Sequence, residues 1–192
     1  LRRGARIVEV GANTSADAVA RLELGAGAAT GPAVVTMHRV ENLQRRSIVE
    51  GFVGLVERIA QRWPVHFVVH GPTAETLEKL GAWPRLDAAG VRRTELLSHH
   101  AFVGLLAAAP LVVTDGGSIQ EECALLGVPT LVWRARTERP DGIGANVVLA
   151  RYDAAVVDDF LADPARFRRP PATAPDRSPS RVIAEAVAAE VP

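Results

Sequence analysis

Seven short apolar runs recur along this chain, at residues 6–10, 33–37, 65–69, 93–96, 111–114, 130–133 and 146–149, and stretches with a helical period separate them. Ile48, Phe52, Leu55 and Ile59 stand four, three and four residues apart, which places them on one face of a helix. Residues 73–80, 99–108, 118–126, 153–162 and 180–189 read as further helices, the third of these closed by Gly127 ahead of Pro129. Strand and helix alternating in this way specify an α/β sandwich of three layers, a parallel sheet covered by helices on both faces. Ligands of such sheets sit beyond the carboxyl ends of the strands. His38 follows the second run, His70 the third and Asp115 the fifth, so one crevice could collect all three.

The sharpest local signal lies at the fifth run. Leu111-Val112-Val113-Thr114 stops at Asp115-Gly116-Gly117-Ser118, and a helix-like segment with Glu121 and Glu122 near its start follows. A strand feeding such a turn points the N–H groups and positive dipole end of a helix at an anion. Gly116 and Gly117 let the backbone approach a ligand closely, having no Cβ. A dinucleotide turn would read G-x-G-x-x-G and a P-loop would end in Gly-Lys-Ser/Thr; neither is present. The turn therefore suits a diphosphate held without a P-loop lysine.

Composition removes several classes. Lys and Arg number 22 and Asp and Glu 22, a net charge of zero, so no basic face for nucleic acid is expected. No apolar run approaches the length of a membrane span. The single cysteine, Cys123, forbids an internal disulfide and suits a cytoplasmic setting. Leu1-Arg2-Arg3-Gly4-Ala5 has neither a Met nor a signal-peptide core, and reads as a cut chain rather than a natural start. His99 and His100 point about 100° apart on a helix, and no further ligand cluster accompanies them, so a metal is not expected. Cys123, Trp63, Trp83 and Trp133 read as core or interface residues, and His66 as a structural strand residue.

Two motifs bear a close family likeness. Thr36-Met37-His38-Arg39-Val40-Glu41-Asn42 resembles the Thr-x-His-Arg-x-Glu-Asn signature of the UDP-N-acetylglucosamine 2-epimerases. The block at 114–146 resembles that family's Asp-Ser-Gly-Gly-x-Gln-Glu-Glu turn, followed by Leu-Gly-x-Pro and Thr137-Glu138-Arg139-Pro140. Asn13-Thr14 with Asp17 looks like the hinge entering this half. The resemblance implies a Rossmann-like domain forming the C-terminal, nucleotide-binding half of a two-domain GT-B fold, in a cytoplasmic enzyme of cell-surface polysaccharide synthesis. On this reading residues 1–20 form the hinge, 21–167 the UDP-binding domain, and 168–192 a Pro-rich strap with a terminal helix. The N-terminal domain would supply further carboxylates and an arginine, and a homodimer is implied. Chemistry of this family eliminates UDP from a UDP-sugar and re-adds it with inverted C2, using no cofactor and no metal.

Carried over residue by residue, the resemblance makes His38 the catalytic candidate, as an electrostatic or proton-handling group. Gly116, Gly117 and Ser118 would donate to the diphosphate, Glu122 would hold the ribose hydroxyls, and Arg139 would reach a phosphate. Phe102 matches an aromatic near the uracil. His70, Arg39 and Glu41 complete the substrate-binding candidates. The chain also departs from the pattern: Asp115-Gly116-Gly117-Ser118 moves the turn's hydroxyl by two positions, His70-Gly71-Pro72 lacks an Asn, and Ala12 replaces the hinge glycine. A divergent branch is implied. Two further readings stay open, a GT-B glycosyltransferase half and a catalytically dead nucleotide-sugar module. In each case an exposed face that would meet the other half is expected.

Overall fold

The computed structural model describes residues 7–22 and 29–189. Six strands form one wholly parallel sheet: β1 (Ala33–Thr36), β2 (Val65–Val68), β3 (Arg92–Thr94), β4 (Val112–Thr114), β5 (Thr130–Val132) and β6 (Val147–Leu149). Their order is β3-β2-β1-β4-β5-β6, so the direction of winding reverses between β1 and β4. That reversal opens a crevice at the carboxyl ends of the two central strands.

Period-two alternation sorts the strand side chains between two cores. Ala33 and Val35 on the first strand, with Met37 just past its end, Phe67 on the second and Val113 on the fourth face the larger cluster, beneath α3 (Arg46–Ala60), α4 (Gly71–Lys79), α5 (Trp83–Ala88) and α8 (Ala154–Ala162). Val34, Val68 and Val112 face the other way, into a smaller cluster with α6 (His99–Ala108) and α7 (Gly117–Leu126). Ile48, Phe52, Leu55 and Ile59 are all buried, as their spacing requires. Cys123, Trp83 and Trp133 are buried too. No helix among the described residues is long and apolar enough to cross a membrane.

Two strand expectations need correction. Arg6 lies outside the described residues, and 7–10 form no strand. Neither edge strand of the sheet, β3 or β6, takes them as a neighbour, and Ile7 stays 69% exposed. The run at 93–96 begins one residue early and ends at Thr94. Its one neighbour, β2, pairs with it only from His66 to Val68, so Leu96 leaves the sheet and is exposed. Three short helices escaped the periodicity, α1 (Ser15–Ala20), α2 (Val40–Leu43) and α5, because none is long enough to display a period.

The N- and C-terminal segments meet on the back of α7. Within residues 1–20 the structure places a helix, α1 (Ser15–Ala20), and the chain ends in α9 (Pro179–Ala188). Asp17 joins them: its carboxylate accepts from Ser180 N at 2.8 Å and from Ser178 Oγ at 3.0 Å. Between Phe167 and α9 the proline-rich strap runs over the end of α7, where Arg169 N donates to Gly127 O and Ala172 N to Leu125 O. Gly127 caps α7 with φ +66°, and a Cβ there would stand 2.1 Å from the Arg169 carbonyl oxygen.

Gly127→Ala should therefore cost more than the roughly 1–2 kcal/mol of a left-handed non-glycine backbone, seen as a lower urea midpoint, and the strap should become cleavable in limited proteolysis. The hydrogen bonds from Ser180 hold the Asp17 carboxyl below its ordinary 3.8. A depressed acid contributes stability that is present above the unfolded value and lost as pH falls through the folded one. Acid titration of stability should thus show a loss below about pH 4 that is smaller in Asp17→Asn.

Candidate functional site

Parallel pairing of Thr36 with Thr114 brings the ends of β1 and β4 out side by side. The residue after β4 is Asp115, fully buried. Its Oδ1 accepts from the His38 amide at 2.9 Å, and its Oδ2 accepts from the Arg39 amide and from Asn42 Nδ2, both at 3.0 Å. Arg39 Nε returns a bond to the Asp115 carbonyl at 2.9 Å. Asn42 also donates to Trp133 O, and Tyr152 Oη donates to Asn42 Oδ1 at 2.7 Å. Tyr152 reaches that position through two successive left-handed residues, Arg151 at φ 53° and Tyr152 at φ 57°. Such backbone is costly and persists where surrounding contacts fix it.

Asp115 was expected in the crevice beside His38 and His70, but without a stated role; Asn42 and Tyr152 were not candidates. Asn42 closes the motif that begins at Thr36, which is a recognisable signal. Tyr152 carries none, since it stands 110 residues from its partner.

The helix after Asp115 starts at Gly117, with Gly116 as its cap. Gly116 N donates to Thr114 Oγ1 at 3.0 Å, so this amide is already engaged. Gln120 N closes the first helical bond onto Gly116 O. The amides of Gly117, Ser118 and Ile119 meet no acceptor among the described residues. Gly116 matters through space rather than torsion: a Cβ would lie 2.6 Å from His38 Cε1. The His38 ring rests on the turn, with Nδ1 3.4 Å from Asp115 Oδ1 but without hydrogen-bond geometry. It stacks on His70 at 5.0 Å and 30°. Burial first, then the neighbouring His38, pushes the His70 imidazole below its ordinary value and favours its neutral form.

Gln120 fixes the loop bearing Arg139. Fully buried, it donates to Arg139 O and Asp141 O at 3.0 Å each and accepts from Thr137 Oγ1. The Arg139 guanidinium pairs through Nη1 with Glu121, which also accepts from Asn13 Nδ2 at 2.9 Å. Glu138 bridges Arg39 at 3.1 Å and Arg134 at 2.8 Å, and the Arg134 hydrogen bond draws its carboxyl down to about 2.

These groups surround a cleft of about 540 Å³. His38, Arg39, His70, Phe102, Gly116, Gly117, Ser118, Glu122 and Arg139 all line it. Glu41 alone of the ten candidates does not; it turns outward to pair with Arg39 at 3.0 Å. Glu122 is 8% exposed and is held by His99 Nε2 at 2.8 Å. Thr36 adds a buried hydroxyl without a partner among the described residues. Unpaired helix-start amides beside a guanidinium suit an anion. No group of three or more His, Cys, Asp or Glu placed to share a metal occurs among the described residues.

Residues 5–167 match the family described as UDP-N-acetylglucosamine 2-epimerase. The chain belongs to this family. A UDP-N-acetylglucosamine 2-epimerase of Methanococcus maripaludis is 30% identical over 116 residues, covering 59% of this chain and 32% of that protein. The UDP-2,3-diacetamido-2,3-dideoxy-D-glucuronate 2-epimerase of Pseudomonas aeruginosa is 29% identical over 168 residues, covering 82% and 45%. Among solved structures, the Methanocaldococcus jannaschii UDP-GlcNAc 2-epimerase in complex with UDP-GlcNAc and UDP superposes with a TM-score of 0.72 at 21% identity, covering 92% of this chain and 53% of that one. That likeness establishes the fold, the Rossmann-like architecture of one half of a GT-B protein. The chain spans between a third and a half of the length of these relatives.

Asp115→Asn would set an amide N–H₂ against donors. Removing hydrogen bonds to a buried charge should cost about 2–4 kcal/mol, a fall of roughly 4–16 °C in Tm for a chain of this size. Tyr152→Phe, which removes one neutral donor, should cost about 1 kcal/mol. Thermal melts of both variants check the ranking.

Proposed function

We propose that this chain is the UDP-binding half of a UDP-N-acetylglucosamine 2-epimerase-like enzyme, converting a UDP-2-acetamido sugar to its C2 epimer by elimination and re-addition of UDP. The observation that carries the reading is the mouth of α7, where three amides without acceptors and the Arg139 guanidinium border one cleft. In elimination the C1–O bond to the diphosphate breaks as the C2 proton is removed, which leaves a 2-acetamidoglucal and UDP. Negative charge accumulates on the diphosphate oxygens, and preorganised donors there lower the barrier. The amides of Gly117, Ser118 and Ile119 serve that role, and Arg139 adds its fork. With Nη1 held by Glu121 and Nε 4.0 Å from Glu138, the Nη2 hydrogens remain for phosphate.

His38 lies between the Asp115 anchor and His70, above the turn, and is assigned to the region where diphosphate meets sugar. Glu122 is assigned to the ribose hydroxyls and Phe102 to the base. Arg39 is held by Asp115, Glu41 and Glu138, so it frames the cleft more than it reaches into it. The C2 proton is left to a second, N-terminal domain meeting the exposed Leu96 and Leu97 at the lip. Such an enzyme would act in the cytoplasm, as a homodimer, supplying a sugar for cell-surface polysaccharide. The substrate's sugar stays at the level of a UDP-2-acetamido sugar, because relatives of this chain include both N-acetylglucosamine and diacetamido-glucuronate enzymes.

Calorimetric titration of the chain with UDP and UDP-GlcNAc, with ADP as control, tests the reading. Uridine ligands should bind and ADP should not. Arg139→Ala should weaken UDP by at least about tenfold, the worth of one charge-assisted contact. Folded protein that binds neither uridine ligand would overturn the assignment.

A further inference from the structure

The pair formed by His99 and Glu122 plays no part in the phosphate machinery. Glu122 is a carboxylate 8% exposed, one helical turn beyond the unpaired amides, and its partner, His99, comes from a different helix. A carboxylate that deep needs a hydrogen-bonding group to remain charged. His99 supplies it from the first turn of α6, which Ser98 caps by accepting from Ala101 N. Val103 and Leu106 of α6 share a buried cluster with Cys123 and Leu126 of α7. Both ends of the pair therefore sit on helices fixed against one another, and both side chains line the cleft.

The chemistry sets the direction of the bond. A carboxylate offers only acceptors, so Nε2 must carry the hydrogen, which selects the Nε2–H tautomer or the imidazolium. With Oε1 engaged at 2.8 Å, the rotation of the carboxylate is fixed, and the lone pairs of Oε2 are left for a donor from the cleft. The His99 ring is itself half exposed, so its own burial contributes little stability. What it adds is orientation.

We propose that His99 is a positioning residue that aims the Glu122 carboxylate, and through it sets discrimination for a ribose over a 2′-deoxyribose in the nucleotide. This deepens the nucleotide-sugar reading and rests on it. His99 touches no reacting atom; it acts through Glu122.

The test compares UDP with 2′-deoxy-UDP by calorimetry in the wild-type chain and in His99→Phe, which keeps a ring without the donor, and His99→Gln, which keeps an N–H donor on a side chain of similar reach. The wild type should favour UDP by roughly 10- to 100-fold, the worth of one hydrogen bond to a charged group. In His99→Phe that preference should fall at least about fivefold, while 2′-deoxy-UDP affinity changes little, and His99→Gln should recover most of it. A structural effect alone would weaken both nucleotides alike. An unchanged preference in His99→Phe, with UDP still bound, overturns the positioning role and leaves the nucleotide reading standing. Absence of binding of either nucleotide by folded wild-type protein overturns both together.

Discussion

The buried carboxylate of Asp115 is the constraint on which the site depends. A parallel sheet delivers two strand ends a few ångströms apart but says nothing about where the chain goes next. Here one acid, fully buried, accepts from the amides of His38 and Arg39, just past β1, and from the side chain of Asn42. A buried anion with fewer donors would be costly. The requirement for donors thus fixes the path of residues 37–42 and sets the His38 ring on the glycine turn. Gly116 completes the geometry by having nothing where that ring lies.

Polar groups are layered outward from this anchor. Asn42 is held by Tyr152 and Trp133, and Arg39 by the Asp115 carbonyl and two glutamates. Gln120 fastens the loop that bears Arg139 to α7 through two backbone carbonyls. Both arginines that face the cleft, Arg39 and Arg139, are therefore braced from behind by acids that do not. Catalytic geometry requires such bracing, because small misplacements of charged groups cost large factors in rate.

Much of the architecture was legible because its physics is periodic. Buried parallel strands write continuous apolar runs, and α3 writes its buried face at spacings of three and four. The placing of the site beyond the carboxyl ends of the strands followed from a rule for α/β sheets rather than from any one residue, whereas the order of the strands was visible only in the structure. What escaped was either short or distant. The helix α5 has too few residues to show a period, and the run at 7–10 is apolar with no strand to pair with. Contacts such as Tyr152 with Asn42 join positions over a hundred residues apart, and nothing in local composition announces them. His99 was visible only as half of a histidine pair, and its partner emerged from the packing of α6 on α7.

The two faces of the sheet are unequally filled. Beneath α3 lies the larger apolar cluster, with Phe52, Phe67, Trp83, Trp133 and Phe160, whereas α6 and α7 rest on a smaller one built mainly of valine and leucine. The cleft is carried by the thinner side. On that side α6 buries only Val103 and Leu106, whereas α3 buries seven residues, and local opening costs least where least apolar surface is exposed. A nucleotide bound as proposed would tighten the softer layer of the sandwich and leave the stiffer one behind β1 to act as its anvil.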